Sequence, residues 1–165
     1  MTRVAILSDT HNHVINLMRA IQIIKQHKID TLIHCGDLTT LDTAALLNEF
    51  RVILTFGNGD FASGAIQEYL RGLNNGSFAG MHFESELSGH RIAVAHGHVP
   101  GKIEEWIGEQ RFEYIFHGHS HLCRDERKGI SRIINPGALG GLKKGPRTFG
   151  ILNFENSELK IFPVE

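Results

Sequence analysis

The sequence predicts an α/β protein in which two β-sheets pack together with helices on the outside. In the first half of the chain, apolar runs alternate with segments of helical spacing, the pattern of crossover units and parallel strands. Beyond residue 76 the pattern changes to short strands broken by tight turns, the pattern of hairpins. A further observation ties this fold to chemistry. Five apolar runs each end in Asp, Asn or His, at the carboxyl ends of strands where open α/β sheets collect ligands.

Residues 3–8 are apolar nearly throughout, as expected of a strand covered on both faces. Behind Asn12, a candidate cap, Val14, Leu17, Met18, Ile21 and Ile24 recur at helical spacing and predict a helix over 13–27. Residues 31–35 form a short apolar strand that stops at Gly36 and presents Asp37 just past its end. Leu41, Ala45, Leu46 and Phe50 predict a second helix, capped by Thr39 or Thr40, before a strand at 51–56. Ile66, Tyr69, Leu70 and Leu73 predict a third helix from residue 62, ended by Asn74-Asn75-Gly76. Residues 83–87 and 91–95 flank Ser88-Gly89 as a hairpin, and Ile103, Trp106 and Ile107 mark one more helix after Pro100-Gly101. Strands at 113–117, 122–127, 131–134, 148–154 and 158–163 complete the chain, separated by turn residues at Lys128-Gly129, Asn135-Pro136-Gly137 and Asn156-Ser157.

A length of 165 residues fits one domain over 1–165, large enough to bury a core without staples. Seventeen Lys plus Arg against eighteen Asp plus Glu, a formal charge of −1, argues against strong charge-driven binding of nucleic acid or anionic membrane. Cys35 and Cys123 make no disulfide framework, and the N-terminus lacks a basic segment followed by an apolar one. A cytoplasmic location with reduced thiols is the expectation. No apolar stretch approaches the roughly 20 residues of a membrane span.

Eleven histidines are the compositional oddity, and six of them (His11, His34, His96, His98, His119 and His121) lie at or beside strand ends. A hydrolytic two-metal site needs a carboxylate able to bridge, neutral imidazoles, amide or carboxylate oxygens, and open positions for water and substrate. The strand ends offer those types in order: Asp9-x-His11, Asp37, Asn58-x-Asp60, His96-x-His98 and His119-x-His121. Side chains two apart in an extended segment point the same way, so Asp9 with His11, and His119 with His121, are expected to act as pairs. Asp37 is the residue on which the others are expected to converge.

Taken together, Asp9-x-His11, Gly36-Asp37, Gly57-Asn58-x-Asp60, His96-Gly97-His98 and Gly118-His119-Ser120-His121 resemble the calcineurin-like metallophosphoesterases, most closely their small single-domain bacterial and archaeal members. Order and spacing match over nearly the whole chain, Asn135-Pro136-Gly137 and Pro146-Arg147 included. The resemblance implies a four-layer α/β/β/α sandwich of two mixed β-sheets flanked by helices. It implies two divalent ions per chain, one held by Asp9, His11 and His121, the other by Asn58, His96 and His119, with Asp37 as the bridge. It favours Mn²⁺, with Fe, Ni or Zn as alternatives among which a mixed nitrogen and oxygen ligand set does not choose. Small relatives are often homodimers or homotetramers. The family usually carries His after the asparagine, and its small members often Cys; this chain has Gly59, which leaves the general acid unassigned.

Several residues have plainer readings. His34, inside its strand, is expected to support a ligand by hydrogen bonding or packing, whereas His98 is open between phosphate contact and support. His13, His27, His82, His90 and His117 read as solvent-facing, helix-terminal or structural, and Cys35 as a core thiol. Gly57-x-Gly59 and residues 140–145 match no nucleotide-binding fingerprint and read as turns, with Lys143, Lys144 and Arg147 open between solvated loop charges, the commoner outcome, and contacts to a substrate phosphate. The function expected is that of a metal-dependent phosphoesterase acting on a small phosphoester, more specifically a phosphodiesterase in which a metal-activated hydroxide attacks phosphorus. Asp37 and His98 are the catalytic candidates. The competing expectation is a non-catalytic interaction scaffold of the same fold, similar to a retromer subunit.

Overall fold

The computed structural model describes residues 2–165. Its first sheet contains β1 (Arg3–Leu7), β2 (Thr31–His34), β3 (Arg51–Thr55) and β4 (Phe78–Gly80) as parallel neighbours. The intervening helices are α1 (Val14–Gln26), α2 (Leu41–Ala45) and α3 (Ser63–Gly72). A second sheet follows from β5 (His82–Leu87), β6 (His90–Ala95), α4 (Lys102–Glu109), β7 (Tyr114–Phe116), β8 (Cys123–Lys128) and β9 (Ser131–Pro136). The chain then returns to the first sheet with β10 (Thr148–Asn153), antiparallel to β1, and β11 (Glu158–Pro163) beyond it. The orders are β11-β10-β1-β2-β3-β4 and β5-β6-β7-β9-β8, and both sheets are mixed.

The strand period of two sends alternate side chains to opposite faces, and here it builds three apolar layers. Ala5 and Leu7 of β1 and Leu32 of β2 pack with Leu17, Ala20 and Ile24 of α1 and Ile66 of α3. Their neighbours Val4, Ile6 and Ile33 turn the other way and meet Ile92, Val94, Phe116 and Ile134 of the second sheet. On that sheet's far face Ala93, Ile115 and Ile133 pack under Ile103 and Trp106 of α4. Helices, sheet, sheet and helix therefore stack as the four-layer α/β/β/α sandwich implied by the resemblance.

Local departures from expectation have local causes. The cap of α1 is His13, whose Nδ1 accepts from the Asn16 N–H at 3.3 Å. Asn12 instead takes a left-handed backbone (φ 57°) and accepts the hydroxyls of Thr40 and Thr43 at 2.9 and 2.8 Å. The second helix ends at Ala45, short of Phe50. Beyond it the N–H groups of Leu46, Leu47 and Asn48 bond carbonyls three residues back, a tightened continuation that still buries Leu47 and Phe50. The three-residue β4 was not expected, being too short for its periodicity to register. At the hairpin, Ser88 and Gly89 are both left-handed (φ 54° and 82°), the turn that matches strand twist.

Candidate metal centre

Five parallel strands, β1, β2 and β3 of one sheet and β6 and β7 of the other, end at one rim, and the loops leaving them are stitched together. The Asp9 N–H donates to the Gly36 carbonyl at 2.9 Å and the His11 N–H to the Asp37 carbonyl at 2.8 Å. Within the second sheet, the Gly118 N–H donates to the His96 carbonyl at 2.9 Å, and across the two sheets the His119 N–H donates to Asp9 Oδ2 at 3.0 Å. The paired spacing works by another geometry than expected. Asp9, His11, Asp37, His119 and His121 all have left-handed backbones (φ 51°, 45°, 56°, 66° and 61°), so these segments are tight turns and not extended. Such conformations cost free energy outside glycine and persist where surrounding structure holds them.

Each of the two carboxylates spends one oxygen on the scaffold and presents the other to imidazoles. Asp9 Oδ2 accepts from the Ser8 hydroxyl at 2.5 Å and the His119 N–H at 3.0 Å, while Oδ1 has no hydrogen-bond partner. That Oδ1 lies 3.2 Å from His121 Nε2, 3.8 Å from His11 Nε2 and 3.9 Å from His96 Nε2. Asp37 Oδ1 accepts from the Gly59 N–H at 2.7 Å, and its Oδ2 stands between His96 Nε2 at 3.3 Å and His11 Nε2 at 3.4 Å. His96 and His119 face each other, Nε2 to Nδ1, at 3.2 Å.

The donor set fits divalent cations. His96 Nδ1 donates to the Cys35 carbonyl at 2.7 Å and His121 Nδ1 to the Leu142 carbonyl at 2.8 Å, which in the neutral ring leaves the Nε2 lone pair aimed at a carboxylate oxygen. Lone pair against carboxylate at that distance is repulsive unless a proton or a metal ion lies between. Two groups of donors are spaced for an ion, Asp9 with His11 and His121, and Asp9 with Asp37 and His96. The orphaned His11 Nε2 and Asp9 Oδ1 belong to these groups.

The electrostatics agree. Burial opposes the charge of Asp37, but the His96 contact and the Gly59 N–H win and hold its carboxyl down to about 2. Burial likewise opposes the charge of Asp9, and the imidazoles of His11 and His96 with the Ser8 hydroxyl hold it below the usual carboxylate range. Asp9 raises the His11 pKa against its partial burial; His96, also opposed by burial, is raised by Asp37 and Asp9. Burial and then the neighbouring His96 push His98 and His119 down. The rim is thus a negative well.

The structure brings Asp9, His11, Asp37, His96, His119 and His121 together. Asn58 is exposed, and its amide makes no hydrogen bond to a described residue, although the loop on either side of it wraps Asp37. His98 stands beside the cluster, its ring 5.4 Å from that of His96 and its Nδ1 without a partner. His34 is fully buried and bonds the Thr10 hydroxyl at 2.8 Å. Arg147 departs from expectation: it is buried and donates to the carbonyls of Gly140 and Gly141, and it is the Gly141 backbone that lies close to the His11 and His121 rings. Lys143 pairs with Glu165.

Sequence reasoning quoted Asp60 in a motif without giving it work. The structure makes it the anchor of two ligand loops, accepting the N–H groups of Gly57 (2.7 Å), Asp37 (2.9 Å) and Thr39 (2.6 Å). The available signal was a carboxylate two residues after the candidate ligand Asn58, a spacing that suits a loop anchor. Close packing also decides the glycines: a Cβ on Gly36 (φ 93°) would sit 2.6 Å from His96 Nδ1, and one on Gly59 would sit 3.0 Å from Asp37 Oδ1.

The likeness to known proteins runs over nearly the whole chain. The chain is 30% identical to the phosphodiesterase MJ0936 of Methanocaldococcus jannaschii over 99% of each protein. It superposes on a solved archaeal phosphodiesterase with a TM-score of 0.92 at 29% identity, covering 98% of this chain and 99% of that one. The fold is also that of Vps29 from Entamoeba histolytica, at 21% identity and a TM-score of 0.73 over 96% of this chain and 89% of that one. The sequence model of the calcineurin-like phosphoesterase superfamily domain matches residues 2–157, and with the whole-chain identity this establishes that the protein belongs to that superfamily.

Proposed function

We propose that this protein is a binuclear metal-dependent phosphodiesterase that hydrolyses P–O bonds. The observation that carries the reading is the pair of carboxylate oxygens, Asp9 Oδ1 and Asp37 Oδ2, turned away from the scaffold into a ring of imidazole nitrogens. Asp9, His11 and His121 would hold one ion, and His96, His119 and Asn58 the other, with Asp37 shared; the position of Asp37 Oδ2 between His11 and His96 supports that sharing. Two divalent ions so held would neutralise phosphoryl oxygens and acidify the attacking water. His98, with a free ring nitrogen beside the cluster, would donate a hydrogen bond to a phosphoryl oxygen.

Gly59 supplies no proton to the departing oxygen, and a general acid there is typically worth about 10²–10⁴-fold. The chain therefore favours esters whose alcohol leaves readily. Manganese is the ion proposed, and the free Cys35 and Cys123 accord with a reducing, cytoplasmic setting. Among the described residues no helix is long and apolar enough to cross a membrane.

The test is metal content of purified protein together with turnover of bis(4-nitrophenyl) phosphate with added Mn²⁺. Two ions per chain with metal-dependent turnover are expected. A folded, metal-loaded sample without turnover would sink the reading in favour of a second one, an interaction scaffold of the same fold. What favours that second reading is the solvent-facing apolar strip Val14, Ile15 and Met18 on α1.

A further inference from the structure

Beside the metal-ligand cluster opens a hollow of about 520 Å³, lined by His11, Asn12, Thr39, Thr40, Gly59 and Phe61 among others. Two residues make it continuous with the cluster. His11 Nε2 lies 3.4 Å from Asp37 Oδ2, and the Gly59 N–H donates to Asp37 Oδ1. No Asp, Glu, Lys or Arg lines the hollow. Its nearest carboxylate in sequence, Asp60, is buried and turned inward onto three backbone N–H groups.

Phe61 is 94% exposed, the most exposed large hydrophobic side chain among the described residues. A single exposed hydrophobic residue is ordinary. This one stands on a turn anchored from both sides, since the Phe61 N–H donates to the Gly59 carbonyl at 3.1 Å and Asp60 grips the preceding loop. Thr39, on the same hollow, has a buried hydroxyl with no hydrogen-bond partner. Its left-handed backbone (φ 84°), rare for a β-branched residue, is held by its N–H bond to Asp60 Oδ1 at 2.6 Å.

We propose, resting on the phosphodiesterase reading, that this hollow is the subsite for an uncharged, flat aromatic ester group of the substrate, stacked on Phe61. The volume lies in the range of pockets that hold small organic ligands. The lining offers no Lys or Arg to pair with a second phosphate or a carboxylate, whose charge would lose hydration there without a dedicated partner. An aromatic face offers a flat ester group a contact that an aliphatic one cannot match. The missing acid at Gly59 selects in the same direction, because an aryl oxygen departs without protonation.

Titration calorimetry of the Mn²⁺-loaded protein with phenylphosphonate and methylphosphonate tests this without turnover. Wild type is expected to bind the phenyl compound roughly three- to tenfold more tightly. Phe61→Ala should bring the two affinities together and Phe61→Trp should keep them apart, continued methylphosphonate binding showing that each variant is folded. Equal affinities in wild type would overturn the subsite while leaving the phosphodiesterase reading standing. A preference that survives Phe61→Ala would overturn it as well, and a simultaneous shift in the variant's size-exclusion profile would assign Phe61 to a contact between copies. Failure of wild type to bind either phosphonate, with no metal-dependent hydrolysis, would overturn both readings together.

Discussion

Asp60 shows how much of a site is decided by a residue outside its chemistry. Its two oxygens accept three backbone N–H groups, from the loops that carry Asp37 and Asn58. An amide in its place keeps one accepting oxygen and turns an NH₂ toward at least one of those donors. Asp60→Asn is therefore expected to cost about 1–3 kcal/mol for each N–H left without a partner. Metal binding should weaken too, because the Gly59 N–H that orients Asp37 belongs to the same loop. Urea melts and metal titration check both effects; wild-type values in both would mean that the loop holds its shape unaided. Gly59→His, the obvious way to restore an acid, is a poor test by contrast, since its Cβ would crowd Asp37 Oδ1 at 3.0 Å.

At the scale of elements, each sheet is covered on its outer face by its own helices. On the first side these are α1 and α3 and on the second α4, and strands of both sheets end in candidate ligands. Trp106 of α4 is fully buried there, its Nε1 donating to Glu84 Oε1 at 3.0 Å. Trp106→Ala should cost about 3–5 kcal/mol through the cavity it leaves. It should leave the metal affinity of the folded fraction near wild type, because the ring contacts of Trp106 are to His82 and Phe112 and to none of the candidate ligands. A thermal melt alongside a metal titration separates the two effects, and loss of metal affinity in protein that remains folded would show coupling across the second sheet.

For the whole molecule, the site exists only because two sheets share one rim. Asp9 comes from the first sheet, yet its Oδ2 is fixed by the His119 N–H of the second; His96 of the second is oriented by the Cys35 carbonyl of the first. Ions bound between them should therefore lock the sandwich as a unit. Mn²⁺ at about a hundred times its dissociation constant should add about 2.7 kcal/mol, a rise in Tm of roughly 5–10 °C for a chain of this size. Asp37→Asn should lose most of that rise if Asp37 is the proposed bridge, since its Oδ2 stands between His11 Nε2 and His96 Nε2. Scanning calorimetry with and without the ion decides it, and an unchanged shift in the variant would remove Asp37 from the bridging place.

Much of this was legible in the residues themselves. Strand and helix periodicity is a local property, so the crossover half, the hairpin half and the strand ends bearing Asp9, Asp37, His96 and His119 could be read before any coordinates. The candidate ligands could be named because few chemistries need Asp, Asn and His together at five strand ends. Tertiary structure alone decided the rest. The left-handed turns at Asp9, His11, His119 and His121 are imposed by hydrogen bonds from distant segments, which local propensity does not encode. Asp60's anchoring of two loops, the burial of Arg147 under the Gly140–Gly141 turn and the hollow lined by Phe61 likewise depend on the folded chain. Periodicity reports which face of an element is buried; it carries no record of which loop will lie against it.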